Sequence, residues 1–171
     1  RTKPTPVLYV PAEDAHGMRS RITALKREHG DAPNFYSVEG ISSLFEKSEV
    51  AALYNAALDV RPSIIFIDTL AMAFPGLEEN SAEAMSRVVM VARKLTNTGA
   101  AVVLIHHDTK AEGSTPRGHS VLNGALDMAL HVKREDDGIV RAKLTKNRNG
   151  SCEREIAFRI DIQTLGEDED G

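Results

Sequence analysis

Continuous apolar runs that end in polar residues are the main pattern along this chain. The runs occupy residues 7–10, 64–67 and 102–105. Such β-branched runs are typical of strands buried on both faces, in a parallel sheet covered by helices. Ligands bind to these sheets beyond the carboxyl ends of the strands. Glu13, Asp68 and His107 follow the three runs, so we expect their side chains to form a site at one edge.

Between the strands, apolar residues recur at helical spacing. Met18, Ile22 and Leu25 predict an amphipathic helix that ends near Gly30. The other predicted elements are a short strand at 35–38, a helix at about 43–58, a helix capped by Asn80 and ended by Gly99, a short helix at about 119–126, and strands at 129–134, 139–145 and 155–160. Alternation of strands and helices, followed by hairpin strands, predicts an α/β core with an antiparallel extension.

Composition is that of an ordinary globular domain. The chain has 171 residues, of which 42% are apolar and 27% charged, and we expect one domain at 1–165 followed by an acidic tail at 166–171. No apolar stretch reaches the roughly 18–20 residues of a membrane span. The single cysteine, Cys152, favours a reducing compartment, and therefore the cytoplasm. The net charge of −4 argues against attraction of nucleic acid by the whole surface, but it leaves room for a basic loop.

Two acidic residues at strand ends are candidates for chemistry. Asp68, followed by Thr69, can hold Mg²⁺ and so organise phosphate oxygens, or it can simply cap the next turn. Glu13 can act as the general base that activates water. The alternative for Glu13 is a helix cap, but Asp14 is better placed for that role.

Histidines and cations supply further candidates. His106 and His107 are adjacent on a strand, so their side chains point to opposite faces, and only one of them can reach the crevice. From there it can hydrogen-bond a terminal phosphate. Lys146 and Arg148 are one residue apart on an extended segment, a spacing that suits a phosphate clamp or an arginine finger. A solvated hairpin end is the alternative for this pair.

The order of these elements resembles that of the RecA-like ATPases, and in particular the hexameric replicative DNA helicases of plasmids and phages. The resemblance runs from about residue 7 to residue 160. Its motifs are the segments 9–14, 65–70, 103–107, 117–122 and 146–150. In order, they are similar to the segment with the catalytic glutamate, to Walker B, to the phosphate-sensing strand, to the segment after the DNA-facing loop, and to the Lys-x-Arg-Asn-Gly element that reaches the adjacent subunit.

The resemblance implies a mostly parallel RecA-like sheet flanked by helices, with ATP and Mg²⁺ as cofactors. It implies that Glu13 activates water, that Asp68 holds Mg²⁺, and that His107 senses the γ-phosphate. It also implies that Lys146 and Arg148 act in trans within a ring of identical subunits. A loop at 108–117, with Lys110 and Arg117, would face single-stranded DNA.

The chain departs from the family pattern in one respect, and two alternative functions remain. The Walker A strand, loop and helix belong upstream of residue 7, so we expect a chain that lacks them and binds ATP poorly by itself. The first alternative is therefore a non-catalytic RecA-like module for assembly or DNA binding. The second is a metal-dependent hydrolase that uses Asp68, His106, His107 and Asp108, although adjacent histidines on a strand are poor joint ligands.

Overall fold

The computed structural model describes residues 4–107 and 120–166, and the chain divides into two compact units, residues 1–122 and 123–171. The elements are β1 (Val7–Pro11), α1 (Ala15–His29), β2 (Phe35–Ser37), α2 (Lys47–Val60), β3 (Ile64–Asp68), α3 (Leu70–Ala73), α4 (Ala82–Thr96), β4 (Ala101–Ile105), α5 (Ser120–Ala125), β5 (Met128–Arg134), β6 (Val140–Asn147) and β7 (Glu155–Phe158). The predicted strands and helices are therefore present in the predicted order, with α5 spanning the division between the units.

The first unit contains a four-stranded parallel sheet with the order β2-β1-β3-β4. The register pairs Pro11 with Asp68, and Asp68 with Ile105. Because β1, β3 and β4 end level with one another, the residues that follow them emerge at the same edge. The predicted α/β architecture with a mostly parallel sheet is confirmed.

Burial on both faces of the sheet, as predicted from the apolar runs, is wrong. Leu8 and Val10 of β1, and Ile65 and Ile67 of β3, are at most 1% exposed. Val7 and Tyr9 of β1, and Ile64 and Phe66 of β3, are only half-buried. Right-handed crossovers would place α2 and α4 on one face and α1 on the other. The helices α2 and α4 bury stripes of apolar residues, but α1 buries only Met18. One face is thus covered far better than the other.

The ends of α1 agree with the prediction. The Asp14 carboxylate accepts a hydrogen bond from the Gly17 N–H at 2.7 Å, which satisfies one of the free amides of the first turn. Gly30 ends the helix with φ of +80°, and its N–H donates to the carbonyl of Lys26. Leu25, however, is 58% exposed, and Met18 is the buried residue of this helix.

Two predicted helix starts are wrong. Ser81, not Asn80, caps α4: its hydroxyl accepts from the Ala84 N–H at 3.3 Å, so the helix begins one residue later. The helix α2 begins at Lys47 rather than near residue 43. The Glu49 carboxylate accepts the N–H groups of Ser42 and Ser43 at 2.7 and 2.8 Å, which holds that segment as a loop.

The second unit contains a three-stranded antiparallel sheet with the order β5-β6-β7. Val140, Ala142 and Leu144 of the central strand are at most 7% exposed. This sheet is the predicted antiparallel extension. Among residues 4–107 and 120–166, no helix has the length and apolar character needed to cross a membrane.

Candidate active site

A cleft of about 260 Å³ lies beyond the carboxyl ends of β1, β3 and β4 in the first unit. Its polar lining consists of Glu13, Asp14, Arg21, Asp68, Thr69 and His107. The strand β1 connects to β2 on one side, whereas β3 connects to β4 on the other. The order in which strands are added to the sheet therefore reverses between β1 and β3, and open α/β sheets bind ligands at such a point. The predicted convergence of Glu13, Asp68 and His107 at one edge is confirmed.

Glu13 is held by its backbone rather than by its side chain. Its N–H donates to the carbonyl of Asp68 at 3.0 Å, so the turn after β1 is attached to the end of β3. Asp14 caps α1, as expected, so Glu13 is not needed for that role. The Glu13 side chain is 45% exposed and lines the cleft. A partly exposed carboxylate in this position can accept a proton from a water molecule.

Asp68 receives a hydrogen bond that sequence reasoning missed. The hydroxyl of Tyr9, which lies on β1, donates to Oδ2 of Asp68 on β3. Burial, followed by the hydrogen bond and negative charge of Asp68, raises the pKa of Tyr9 well above its usual value, so the phenol stays protonated. The parallel pairing of the strands contains the relevant signal, because Tyr9 pairs with Phe66 and therefore shares a face with Asp68.

Thr69 is the strongest indication that the cleft binds a polar ligand. It is 2% exposed, and its hydroxyl has no hydrogen-bond partner among the described residues. Buried hydroxyls are normally satisfied by protein or by an ordered ligand or water. Thr69 also lines the cleft, next to the Asp68 carboxylate.

These donors suit Mg²⁺ bound together with phosphate. Mg²⁺ usually takes one or two carboxylates from the protein and completes its shell with water and phosphate oxygens. Asp68 supplies such a carboxylate at the cleft, and the Thr69 hydroxyl is available beside it. Within the described part of the chain, no three His, Cys, Asp or Glu side chains are grouped to hold a metal by themselves.

His106 and His107 diverge, as the strand pattern predicts. His107 lines the cleft, and its Nε2 atom lies 3.3 Å from Oε2 of Glu13. His106 is 15% exposed, and its Nε2 atom lies 3.9 Å from Oε1 of Glu79. The two imidazoles therefore do not converge on one metal ion, which argues against the hydrolase alternative.

Arg21 is a second cleft residue that sequence reasoning missed. It lies two turns into α1, and its guanidinium is 2.5 Å from the Asp14 carboxylate that caps the same helix. The spacing of seven residues places both side chains on one face of the helix, which was a usable signal. Arg21 brings positive charge into a cleft that also contains three carboxylates.

Lys146 and Arg148 belong to the second unit, where both bind main-chain carbonyl groups. The Lys146 ammonium donates to the carbonyl of Asn123, and the Arg148 guanidinium donates to that of Gly124 at 3.0 Å. Arg148 also pairs with Asp127 at 2.9 Å. Cations at a helix carboxyl end interact favourably with its free carbonyls. The hairpin end is thus not simply solvated, because both cations bind the last turn of α5.

The predicted DNA-facing residues, Lys110 and Arg117, lie outside the described residues. The same is true of Asp108, which belongs to the hydrolase alternative.

A parallel sheet with acidic and histidine side chains gathered beyond its carboxyl ends has the architecture of a RecA-like ATPase domain. A family model described as the AAA domain matches residues 1–113, and the chain belongs to that family. The predicted RecA-like P-loop ATPase fold is therefore confirmed.

Solved structures with the same fold include two that cover most of the chain. One is described as the RadB recombinase, with a TM-score of 0.64 and 17% identity over 92% of this chain and 76% of the other. The second is a KaiC-like protein from the hyperthermophilic archaeon Pyrococcus horikoshii OT3, with a TM-score of 0.66 and 16% identity over 91% of this chain and 73% of the other. At such identities the likeness concerns the fold alone. A comparison with curated proteins gives no significant match.

Proposed function

We propose that this chain is the portion of an ATP-hydrolysing RecA-like motor that follows Walker A, and that the motor is a ring-forming replicative DNA helicase. The observation that carries the proposal is the cleft, where Glu13, Asp68, Thr69 and His107 meet beyond three parallel strands. A general base and a carboxylate for Mg²⁺ serve hydrolysis of a nucleoside triphosphate, and a hydroxyl and an imidazole can contact the ion and its phosphate groups.

Asp68 and Thr69 hold the Mg²⁺ and phosphate end of the ligand in this proposal. Bound Mg²⁺ neutralises negative charge on the phosphate oxygens of ATP. The Asp68 carboxylate would bind the ion directly or through water, and the Thr69 hydroxyl gains in this way the partner that it lacks among the described residues.

In this proposal Glu13 activates the attacking water, and His107 senses the γ-phosphate. Glu13 orients a water molecule and accepts its proton, while its backbone stays attached to Asp68 at 3.0 Å. His107 contacts Glu13 at 3.3 Å, so one imidazole is within reach both of the base and of any group that enters the cleft beside it. We propose that this contact reports the presence of the γ-phosphate to the residues that follow.

Arg148 and Lys146 act on the ATP of an adjacent subunit. Arg148 is 52% exposed, and its guanidinium carries five N–H donors, so its contacts with Gly124 and Asp127 are compatible with a further one to phosphate. An arginine that enters a neighbouring site stabilises the charge of the transition state.

The remaining parts of the proposal concern partners and location. Lys110 and Arg117 would contact the backbone of single-stranded DNA in the channel of the ring, because phosphate contacts require cations. We place the protein in the cytoplasm, in keeping with its free Cys152.

The test is DNA-stimulated ATPase activity of the complete natural polypeptide. Glu13→Gln and Arg148→Ala should each abolish turnover, because one removes the base and the other the cation in trans. Glu46→Gln, at the exposed residue that precedes α2, and Arg93→Ala, at an exposed position of α4, make the same changes and serve as matched controls. Near-wild-type rates in both site variants would contradict the proposal.

The alternative is a non-catalytic RecA-like module for assembly or DNA binding. It is favoured by one observation, that Lys146 and Arg148 both bind carbonyl groups of their own unit. A complete polypeptide that binds DNA or assembles, but neither binds nor hydrolyses ATP, would establish this alternative.

A further inference from the structure

We infer that Tyr9 is a positioning residue for Asp68, whose hydroxyl holds one carboxylate oxygen so that the other is presented to Mg²⁺. The inference rests on the proposed function, since it assumes that Asp68 holds Mg²⁺.

The contact joins two strands inside the sheet. Tyr9 pairs with Phe66 in the register of β1 and β3, and Asp68 lies two residues further along β3 on the same face. The phenol therefore reaches diagonally towards the carboxyl end of the sheet and donates to Oδ2 of Asp68. A carboxylate with one oxygen engaged by a fixed donor has little freedom to rotate, so its other oxygen keeps one direction.

The donor itself is held by aromatic packing. The ring of Tyr9 lies between those of Phe35 on β2 and Phe66 on β3, with centroid distances of 5.9 Å to each. Tilted aromatic pairs at this separation are favourable beyond their area of contact. Phe35 and Phe66 thus limit movement of the ring, and the position of the hydroxyl is set by three neighbouring strands.

A purely structural role for the hydroxyl is the competing explanation. The strands β1 and β3 already pair over five consecutive residues, from Val7 with Ile64 to Pro11 with Asp68. Their association therefore does not depend on one side-chain hydrogen bond. What the hydroxyl adds is control of a carboxylate at the cleft. Hydrogen-bond partners of metal ligands have this effect, and their loss typically lowers metal affinity by about 10–100-fold.

The experiment measures Mn²⁺ binding to the complete polypeptide in the presence of ADP, by electron paramagnetic resonance of the free ion. Tyr9→Phe keeps the ring and removes the hydroxyl, and we expect roughly tenfold weaker Mn²⁺ binding. The melting temperature without Mn²⁺ should stay at the wild-type value. Tyr36→Phe removes the same group from β2, where the side chain points to the other face, and it should bind Mn²⁺ normally.

Asp68→Asn separates failure of this inference from failure of the proposed function. If Asp68→Asn binds Mn²⁺ as well as the wild type, Asp68 is not the metal residue and the proposed function fails at that point. If Asp68→Asn loses Mn²⁺ while Tyr9→Phe retains full affinity, the role of Tyr9 alone is overturned.

Two further measurements guard against an effect on folding. A Tyr9→Phe variant whose melting temperature falls together with its Mn²⁺ affinity would indicate a structural role and overturn the inference. Phe66→Leu keeps the hydroxyl but removes one wall of its packing, and it should weaken Mn²⁺ binding by less than Tyr9→Phe does. Combined with Asp68→Asn, Tyr9→Phe should have no additional effect on Mn²⁺ binding, because it acts through that carboxylate.

Discussion

The cleft of the first unit and the cation pair of the second differ in how their polar groups are used. In the cleft, the Glu13 carboxylate and the Thr69 hydroxyl make few hydrogen bonds on which the fold depends. Both groups are positioned by the backbone. In the second unit, Lys146 and Arg148 bind Asn123, Gly124 and Asp127. One region has polar groups at an open cleft, whereas the other uses its charges to hold a helix end.

This difference gives each region its own expected response to substitution. Removing a side-chain group that the fold does not need should change activity and leave stability unchanged. Removing a cation that binds α5 should lower stability, and it lowers activity as well only if that cation also acts on a neighbouring subunit. Stability and turnover measured on the same variants therefore distinguish a structural from a catalytic role.

Arg148→Ala has the largest expected effect. An arginine supplied in trans contributes on the order of 10³–10⁵ in turnover, so the variant should be inactive, with a slightly lower melting temperature from loss of its contacts. Mixing it with the Glu13→Gln variant should restore part of the turnover, because some interfaces then combine an intact Glu13 with an intact Arg148. Stable rings that stay inactive after mixing would exclude action in trans.

Glu13→Gln should lower turnover by about 10²–10⁴-fold, the usual contribution of a general base. Its backbone bond to Asp68 does not involve the side chain, so the melting temperature should match the wild type. Steady-state ATPase assays and thermal unfolding test this directly. If Glu13→Gln lowers the melting temperature as well as the turnover, Glu13 has a structural role.

Asp14→Ala tests the adjacent acid, which should behave in the opposite way. Its carboxylate caps α1 and pairs with Arg21, and loss of such a cap lowers stability by about 0.5–2 kcal/mol. Turnover of the folded protein should remain within a few-fold of the wild type. Denaturant unfolding and ATPase assays at a permissive temperature measure the two effects separately. Loss of turnover without loss of stability would assign Asp14 to catalysis instead.

Asp127→Asn has the smallest expected effect. The ion pair with Arg148 is exposed, and such pairs contribute roughly 0–1 kcal/mol to stability. The Arg148 guanidinium keeps its bond to the Gly124 carbonyl, so turnover should stay at or above the wild-type rate. Thermal unfolding at low and high salt checks the prediction, because screening should make the variant and the wild type alike. A large loss of turnover would mean that Asp127 orients Arg148 for catalysis.

Much of the fold and part of the site were predictable from local pattern. The apolar runs located β1, β3 and β4, and the ends of these parallel strands placed Glu13 and Asp68 at one cleft. The cap at Asp14 followed from residue type and position alone. The starts of α2 and α4 were predicted wrongly, because Glu49 and Ser81 compete for the backbone amides at those positions.

By itself, the sequence determined the elements, their order and the polar residues at the strand ends, since these depend on periodicity among neighbouring residues. Only the tertiary structure decided which sheet face is well covered, that Tyr9 bonds Asp68 from 59 residues away, and that Lys146 and Arg148 bind α5. The physical reason is that such contacts depend on strand register and on the approach of distant segments. Neither is encoded in the spacing of residues along one element.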